Sequence, residues 1–172
     1  VRKHAFALAD TDKMLREGLL TAMNQKLSAM GLPVAILSVD RTRDSGIIDK
    51  VVEQIRKTNL VSGSGLILIV DHTVDPDDLF TVAWQVLGNS DPQRDHIYIS
   101  SSVLLIDGTI KLYRKGGFPR KWPNVVCSDE ATIEAIDIKW DTLGLGPFIP
   151  SPSRKYMCLK RNGDDEISIA RE

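Results

Sequence analysis

Cysteine is scarce in this 172-residue sequence: Cys127 and Cys158 are the two present, with no close pairing. That excludes the disulfide-dense scaffolds of small secreted domains, and with no secretory leader visible it makes a reducing, cytoplasmic compartment the expectation. Charge of one sign is also lacking, because 22 basic and 23 acidic residues leave a formal net charge of -1. An even mixture of signs carries no electrostatic footprint for nucleic acid or for an anionic membrane surface. No apolar run approaches the length of a membrane span, and there is neither an internal repeat nor a low-complexity tract. What remains is a composition of 42% hydrophobic and 26% charged residues, ordinary for a globular chain with a substantial core. The first residue is Val1 and an apolar segment, His4 to Ala9, follows at once, which reads as a continuation of something upstream.

The pattern along the chain is an alternation of helix and buried strand. Asp10-Thr11-Asp12 offers an N-cap, after which Leu15, Leu19, Met23, Leu27 and Met30 recur at helical steps. This predicts an amphipathic helix of roughly five turns, stopped at Gly31. Val34 to Val39 is a continuous apolar run of the kind found in strands covered on both faces. Ser45 can cap a second helix, with Ile47, Ile48, Val51, Val52 and Ile55 forming one stripe. The turn Ser62-Gly63-Ser64-Gly65 leads into a strand over Leu66 to Val70. Asp75 as N-cap, Pro76 at the first helical position and two further acids predict a third helix. Its inward face is Leu79, Val82 and Val86, and it closes at Gly88. His96 to Ile99 is the next strand, Val103 to Ile106 a possible further one, and a long irregular loop then runs from Asp107 to Pro123. A last helix starts at Ser128-Asp129-Glu130 and ends at Gly144. The fold class expected is three-layer α/β/α with a largely parallel sheet over residues 1–146. Residues 147–172 form a tail, with strand-like runs Tyr156 to Leu159 and Glu166 to Ile169 around Asn162-Gly163 suggesting a hairpin.

Candidate chemistry is sparse. Ser62-Gly63-Ser64-Gly65 runs from helix into strand, the reverse of the order a phosphate cradle requires, so a plain turn is favoured. Asp71, His72, Asp75, Asp77 and Asp78 crowd the end of a strand, where open α/β sheets bind ligands. Capping and the helix dipole account for the last three, leaving Asp71 and His72 as weak ligand candidates. Cys127 precedes a helix start but has no sequence-adjacent base, and a small buried residue is the simpler account. The loop holding Asp107, Thr109, Lys111, Phe118, Arg120 and Trp122 combines stiffening prolines, aromatic rings and cations. It is the candidate interface or lid, with a fold over its own core edge as the competing account.

The motifs resemble one family. Val70-Asp71 with Val74-Asp75-Pro76-Asp77-Asp78, then Trp84 and Asp91-Pro92-Gln93-Arg94-Asp95, is similar to the VD-x-x-VDP-x-D…W…DP-x-RD pattern of UbiD-type decarboxylases. Asp107-Gly108-Thr109-Ile110-Lys111 resembles their D-A-T-x-K element, and Gly117-Phe118-Pro119-Arg120-Lys121-Trp122-Pro123 their G-F-P-R-x-W-P element. Ile136-Asp137-Ile138-Lys139-Trp140 with Leu143-Gly144-Leu145 resembles the V-D-x-x-W…LGL ending. Gly108 stands in place of the usual alanine, and Asn89 where an arginine is common. The resemblance spans roughly Leu66 to Leu145 and implies the C-terminal domain of a larger carboxy-lyase. Such an enzyme uses prenylated FMN, with metal ions, to remove carboxylate from an aromatic or α,β-unsaturated acid, in ubiquinone or menaquinone biosynthesis. The cofactor and catalytic residues would then belong to an upstream catalytic domain of the same chain. No catalytic, cofactor-binding or metal-binding residue is carried over here, and a homo-oligomer is implied. Two other functions compete: a self-contained small-molecule or nucleotide-binding α/β domain using Asp71 and His72, and a small hydrolase or metal enzyme built on the acidic cluster.

Overall fold

In the computed structural model the residues described are 5–6, 8–24, 26–58, 61–62, 65–112 and 118–161. The chain divides into two compact units, Val1–Pro119 and Arg120–Glu172, so the division falls before residue 146, and the last long helix belongs to the second unit.

The first unit begins with β1 (Ala5–Phe6) and α1 (Leu8–Arg16), where the expected five-turn helix stops early. Asp10, Thr11 and Asp12 lie inside α1 rather than capping it. Gly18, at φ +73°, takes a left-handed turn that residues with a Cβ adopt at a cost, and this breaks the helical run although the apolar spacing continues past it. β2 (Ala22–Met23) follows, then the single turn α2 (Lys26–Ala29), whose Leu27 amide is capped by Asn24 Oδ1 at 2.9 Å. β3 (Val34–Val39) and α3 (Ile47–Thr58) form where predicted, and the buried stripe of α3 is Ile47, Ile48, Val51, Val52 and Ile55. Asp44, not Ser45, accepts from the Gly46 amide at the start of α3 (3.0 Å). β4 (Val61–Ser62) pairs with β1 as a separate antiparallel ribbon. Gly63 and Ser64 of the expected turn lie outside the described residues.

β5 (Gly65–Asp71), α4 (Leu79–Asn89), β6 (His96–Ser100) and β7 (Val103–Asp107) complete the unit. The five-stranded sheet has the order β2-β3-β5-β7-β6. Its centre, β3-β5-β7, is parallel, while β2 and β6 are antiparallel edges. The third parallel strand is therefore β7, not the His96 to Ile99 run. Only Ser101 and Ser102 separate β6 from β7, and a parallel neighbour would need a crossover of about a dozen residues. One face of the sheet, through Leu37, Val39, Ile67, Ile69, Val103 and Leu105, packs with Met14, Leu20 and the α3 stripe in a single core. Strand alternation turns Gly108 to the opposite face, where a Cβ would meet Val86 of α4 at 2.7 Å. Helices thus cover both faces, as expected.

The start of α4 differs from the expectation. Asp75 accepts from the Asp77 amide at 2.9 Å and its carbonyl from the Asp78 amide at 3.1 Å, so one extra turn precedes the helix. Asp78 is the N-cap, its carboxylate accepting from Thr81. Gly88 lies inside α4, and Ser90 is the C-cap.

In the second unit, α5 (Glu130–Asp137) is N-capped by Asp129, which accepts from the Thr132 amide at 2.7 Å. It gives way to a 3-10 turn, Trp140–Thr142, rather than continuing to Gly144. Arg154 bridges Glu130 (2.8 Å) and Asp137 (3.2 Å). The first arm of the expected hairpin is helical: α6 (Ser153–Tyr156) runs into a 3-10 turn, Met157–Leu159. Pro152 is already in helical geometry at φ -65°, and the Lys155 amide donates to its carbonyl, so the proline starts a turn here. Glu166 to Ile169, the second arm, and Asn162-Gly163 lie outside the described residues.

Two substitutions check this packing. Gly108→Ala should lower stability by about 1–3 kcal/mol, because two of the three crowding atoms are backbone and the third is on the buried Val86. Asp78→Ala should cost about 1 kcal/mol and Asp75→Ala less, measured as shifts in urea midpoint. The reverse order would return the cap to Asp75.

Candidate functional site

β3, β5 and β7 run parallel and end together, so the residues at or just past their carboxyl ends, Asp40 and Arg41, Asp71 and His72, and Asp107 and Thr109, share one edge of the sheet. This is the edge at which open α/β sheets take ligands. What the structure brings together there is a charge network turned inward. Arg41 Nη1 donates to Thr109 Oγ1 (2.9 Å), to the Ile110 carbonyl (3.2 Å) and to Asp107 Oδ2 (3.3 Å). Lys111 Nζ reaches the Asp107 carbonyl (2.9 Å), Asp107 Oδ2 (3.0 Å) and Asp95 Oδ1 (3.3 Å), and its side chain is only 6% exposed. Arg94 forks onto Asp95, with the shortest contact at 2.6 Å. Asp71 Oδ2 accepts from the Ile110 amide at 2.9 Å. Asn89, buried on α4, donates to the Gly108 carbonyl at 3.0 Å.

Asp71, Asp95 and Asp107 are thus set among Arg41, Arg94 and Lys111, three charges of each sign. Burial opposes ionisation of Asp95, but hydrogen bonds from Arg94, the Asp91 amide and Lys111 outweigh it and hold its carboxyl below the usual range. Most donors and acceptors at this edge are engaged within the network, while Arg41 Nε is buried with no hydrogen-bond partner.

The sequence candidates therefore separate. Asp107, Thr109 and Lys111 are buried parts of this network rather than the exposed face of a lid. Asp71 is held by Ile110, while His72 is partly exposed, with Nδ1 3.5 Å from Asp40 Oδ1. Burial opposes ionisation of Asp40 too, but the Thr42 hydroxyl and the nearby His72 leave its carboxyl below the usual range. Asp77 accepts from Asn24 and pairs with Lys26 at 2.7 Å, and Asp75 and Asp78 serve turn and cap. Among the described residues no three His, Cys, Asp or Glu side chains form a group able to hold a metal ion. Phe118 lies half-buried under Arg94, 5.1 Å from guanidinium carbon to ring centroid. In the second unit Arg120 is exposed over the ring of Trp122, and Trp122 itself is buried. Sequence reasoning missed Arg41 and Asp95. The signal available was the position of Lys111 between Ile110 and Leu112, both buried: a lysine inside an apolar alternation needs a buried anion.

Residues 6–109 match the sequence profile of the 3-octaprenyl-4-hydroxybenzoate carboxy-lyase C-terminal domain. The chain belongs to this family. Among relatives, a protein of Archaeoglobus fulgidus is 29% identical over 148 residues, 73% of this chain and 30% of the relative. One of Aeropyrum pernix is 28% identical over 128 residues, 65% of this chain and 26% of the relative. The chain therefore spans about a third or less of the relatives it matches. Among solved structures, the UbiD-class enzyme HmfF from Pelotomaculum thermopropionicum, an evolved dimeric form in complex with prFMN, aligns with TM-score 0.52 at 19% identity. The alignment covers 76% of this chain and 29% of that one. Vanillic acid decarboxylase of Sedimentibacter hydroxybenzoicus in an open form aligns with TM-score 0.56 at 18% identity, covering 79% and 32%. At these identities the structural likeness carries the fold. In this UbiD C-terminal domain Asp95 and the stretch Asp107 to Lys111 form an internal lock.

Lys111→Met should cost about 3–5 kcal/mol, since it leaves Asp95 and Asp107 buried without their shared cation. The Asp95 contribution to stability should depend on pH. A carboxyl whose folded pKa is depressed stabilises fully above its unfolded value of about 3.9, and that stability is lost as pH falls through the lower folded value. Urea midpoints should therefore drop below about pH 4. Asp95→Asn should be less stable at pH 7 and show a shallower fall, and an unaltered pH profile would remove Asp95 from the lock.

Proposed function

We propose that this chain is the non-catalytic assembly and active-site-closure domain of a prenylated-FMN-dependent carboxy-lyase. Its substrate would be an aromatic or α,β-unsaturated acid, in cytoplasmic ubiquinone or menaquinone biosynthesis. The observation that carries this is where the second unit puts its apolar side chains. Val126, Ile138, Leu145 and Ile149 are 96%, 84%, 61% and 63% exposed, against a buried set of Trp122, Ile133 and Leu159. A unit that displays more large apolar side chains than it buries is built to be covered by another surface. We assign the same role, contact with the upstream catalytic domain or a neighbouring subunit, to Arg120 and Trp122 in the second unit and, separately, to Phe118 in the first.

The cofactor test points the same way. A flavin phosphate wants free cations or open helix N-termini, and Arg41, Arg94 and Lys111 are already paired with carboxylates at the sheet edge. The residues at that edge do not fit prenylated FMN, and the cofactor with its metal ions would belong to the catalytic domain. No described helix is long and apolar enough to cross a bilayer.

The chain alone, supplied with prenylated FMN and divalent ions, should release no CO2 from aromatic or α,β-unsaturated acids above a no-protein blank. In the longer carboxy-lyase, Ile138→Asp with Ile149→Asp should lower activity and assembly severalfold, while the melting midpoint of the isolated chain stays put. Turnover by the isolated chain, or a full-length enzyme indifferent to the double substitution, would overturn the proposal.

A further inference from the structure

The second unit holds a cavity of about 310 Å³ between α5 and the segment 149–152, with Ile133 and Ile136 on the helix side and Ile149 and Pro150 opposite. That volume falls at the small end of the roughly 300–1,000 Å³ range of ligand pockets. The walls are mainly apolar, so an occupant must bring an apolar body.

Two further lining residues give the cavity a sign and a ring. Asp137 closes α5, and its Oδ2 lies 3.2 Å from Arg154 Nη2 while Oδ1 makes no hydrogen bond among the described residues. The same guanidinium donates from Nε and Nη2 to Glu130 Oε1, at 3.0 and 2.8 Å. Two carboxylates therefore share one cation, which leaves one negative charge uncompensated beside an apolar wall. The Asp137 side chain is 21% exposed, so water screens that charge only in part. Trp140, three residues on, falls on the same side of the chain, because Ile138 and Lys139 keep helical geometry at φ -61° and -91°. Its Nε1 donates to the Gly146 carbonyl (3.0 Å) and its ring meets Phe148 edge to face, centroids 5.5 Å apart. The indole is thus fixed where it lines the cavity.

We propose that this cavity binds a small organic ammonium ion, its cationic head at Asp137 Oδ1 and the Trp140 ring and its apolar body between Ile136 and Ile149. A carboxylate and an indole together attract a cation by charge and by the ring quadrupole. An anion would be repelled, and a neutral molecule without a donor would cover the Asp137 oxygen and leave it unpaired. A bare metal ion is not served, since no three ligating side chains come together among the described residues. Ile149 borders both this cavity and the apolar surface assigned to assembly, so the occupant in the longer enzyme is part of the test.

Calorimetric titration of the 172-residue chain should show one site for phenethylamine, with 2-phenylethanol and 3-phenylpropanoate about tenfold weaker or worse. Asp137→Asn should weaken phenethylamine by about the same factor and leave 2-phenylethanol unaffected. In proton–nitrogen spectra the indole N–H of Trp140, identified through Trp140→Phe, should shift on titration while those of Trp84 and Trp122 stay in place. Equal binding of amine and alcohol, an Asp137→Asn chain that holds the amine as tightly as the original, or no binding at all overturns the ammonium site. Should Asp137→Asn fail to fold, the comparison of amine with alcohol on the unaltered chain still decides. If the isolated chain binds phenethylamine and the longer carboxy-lyase does not, the cavity is filled there by another part of that enzyme: the small-molecule site is then wrong and the assembly reading stands.

Discussion

Lys111 sits where the antiparallel hairpin β6-β7 would otherwise fail. Asp95 immediately precedes β6 and Asp107 ends β7, and the Asp107 amide donates to the Asp95 carbonyl at 2.9 Å, so two buried carboxylates meet across one strand pair. Like charges in that position repel, and burial removes the water that would screen them. The lysine ammonium between them, with Arg94 on one carboxylate and Arg41 on the other, turns a repulsive pair into a closed network. Because Arg41 follows β3, the same network ties the third strand of the parallel centre to the hairpin. The carboxyl edge of the sheet is thereby cross-linked by charge.

That cross-linking bears on what the edge can bind. In other α/β sheets this edge is where strand ends and helix starts leave polar groups without partners, and ligands supply them. Here most of the polar groups supply each other, Asp71 included, and Arg41 Nε is the buried exception. The polar stripe of α4 belongs to the same logic: Asn89 reaches the Gly108 carbonyl, and this draws α4 so close to β7 that a Cβ at Gly108 has no room. Asn89 and Gly108 meet in one contact, and an alanine at 108 would push α4 away.

What was legible in the sequence was whatever depends on short-range period. The spans of β3 and α3, and the α3 stripe from Ile47 to Ile55, follow from local apolar spacing, and so does the alternation of helix and strand. Gly18 broke the first helix because one left-handed residue outweighs an apolar spacing that happens to continue beyond it. The position of β7 between β5 and β6 is a matter of sheet order, which spacing does not encode. The site was the least legible part. Asp107, Thr109 and Lys111 looked like surface chemistry because they are polar and follow a strand, and only their partners Arg41 and Asp95, distant in sequence, show them to be interior.

The helix α4 shows why the usual rule misled. Taking one apolar stripe as the inward face assigns Leu79, Val82 and Val86 to the core, yet Leu79 is 49% exposed and the inward side is shared with Thr81, Gln85 and Asn89. A second apolar set, Phe80, Trp84 and Leu87 at four- and three-residue steps, was present and is the more continuous of the two. Polar residues can face inward when every donor and acceptor is matched, and then burial no longer identifies the apolar side. Once the inner face is satisfied by hydrogen bonds, the apolar face is free to be selected for something outside the domain. An uncharged, aromatic-bearing helix face costs solubility in an isolated domain, so its presence opposite a hydrogen-bonded inner face argues that the surface is normally covered.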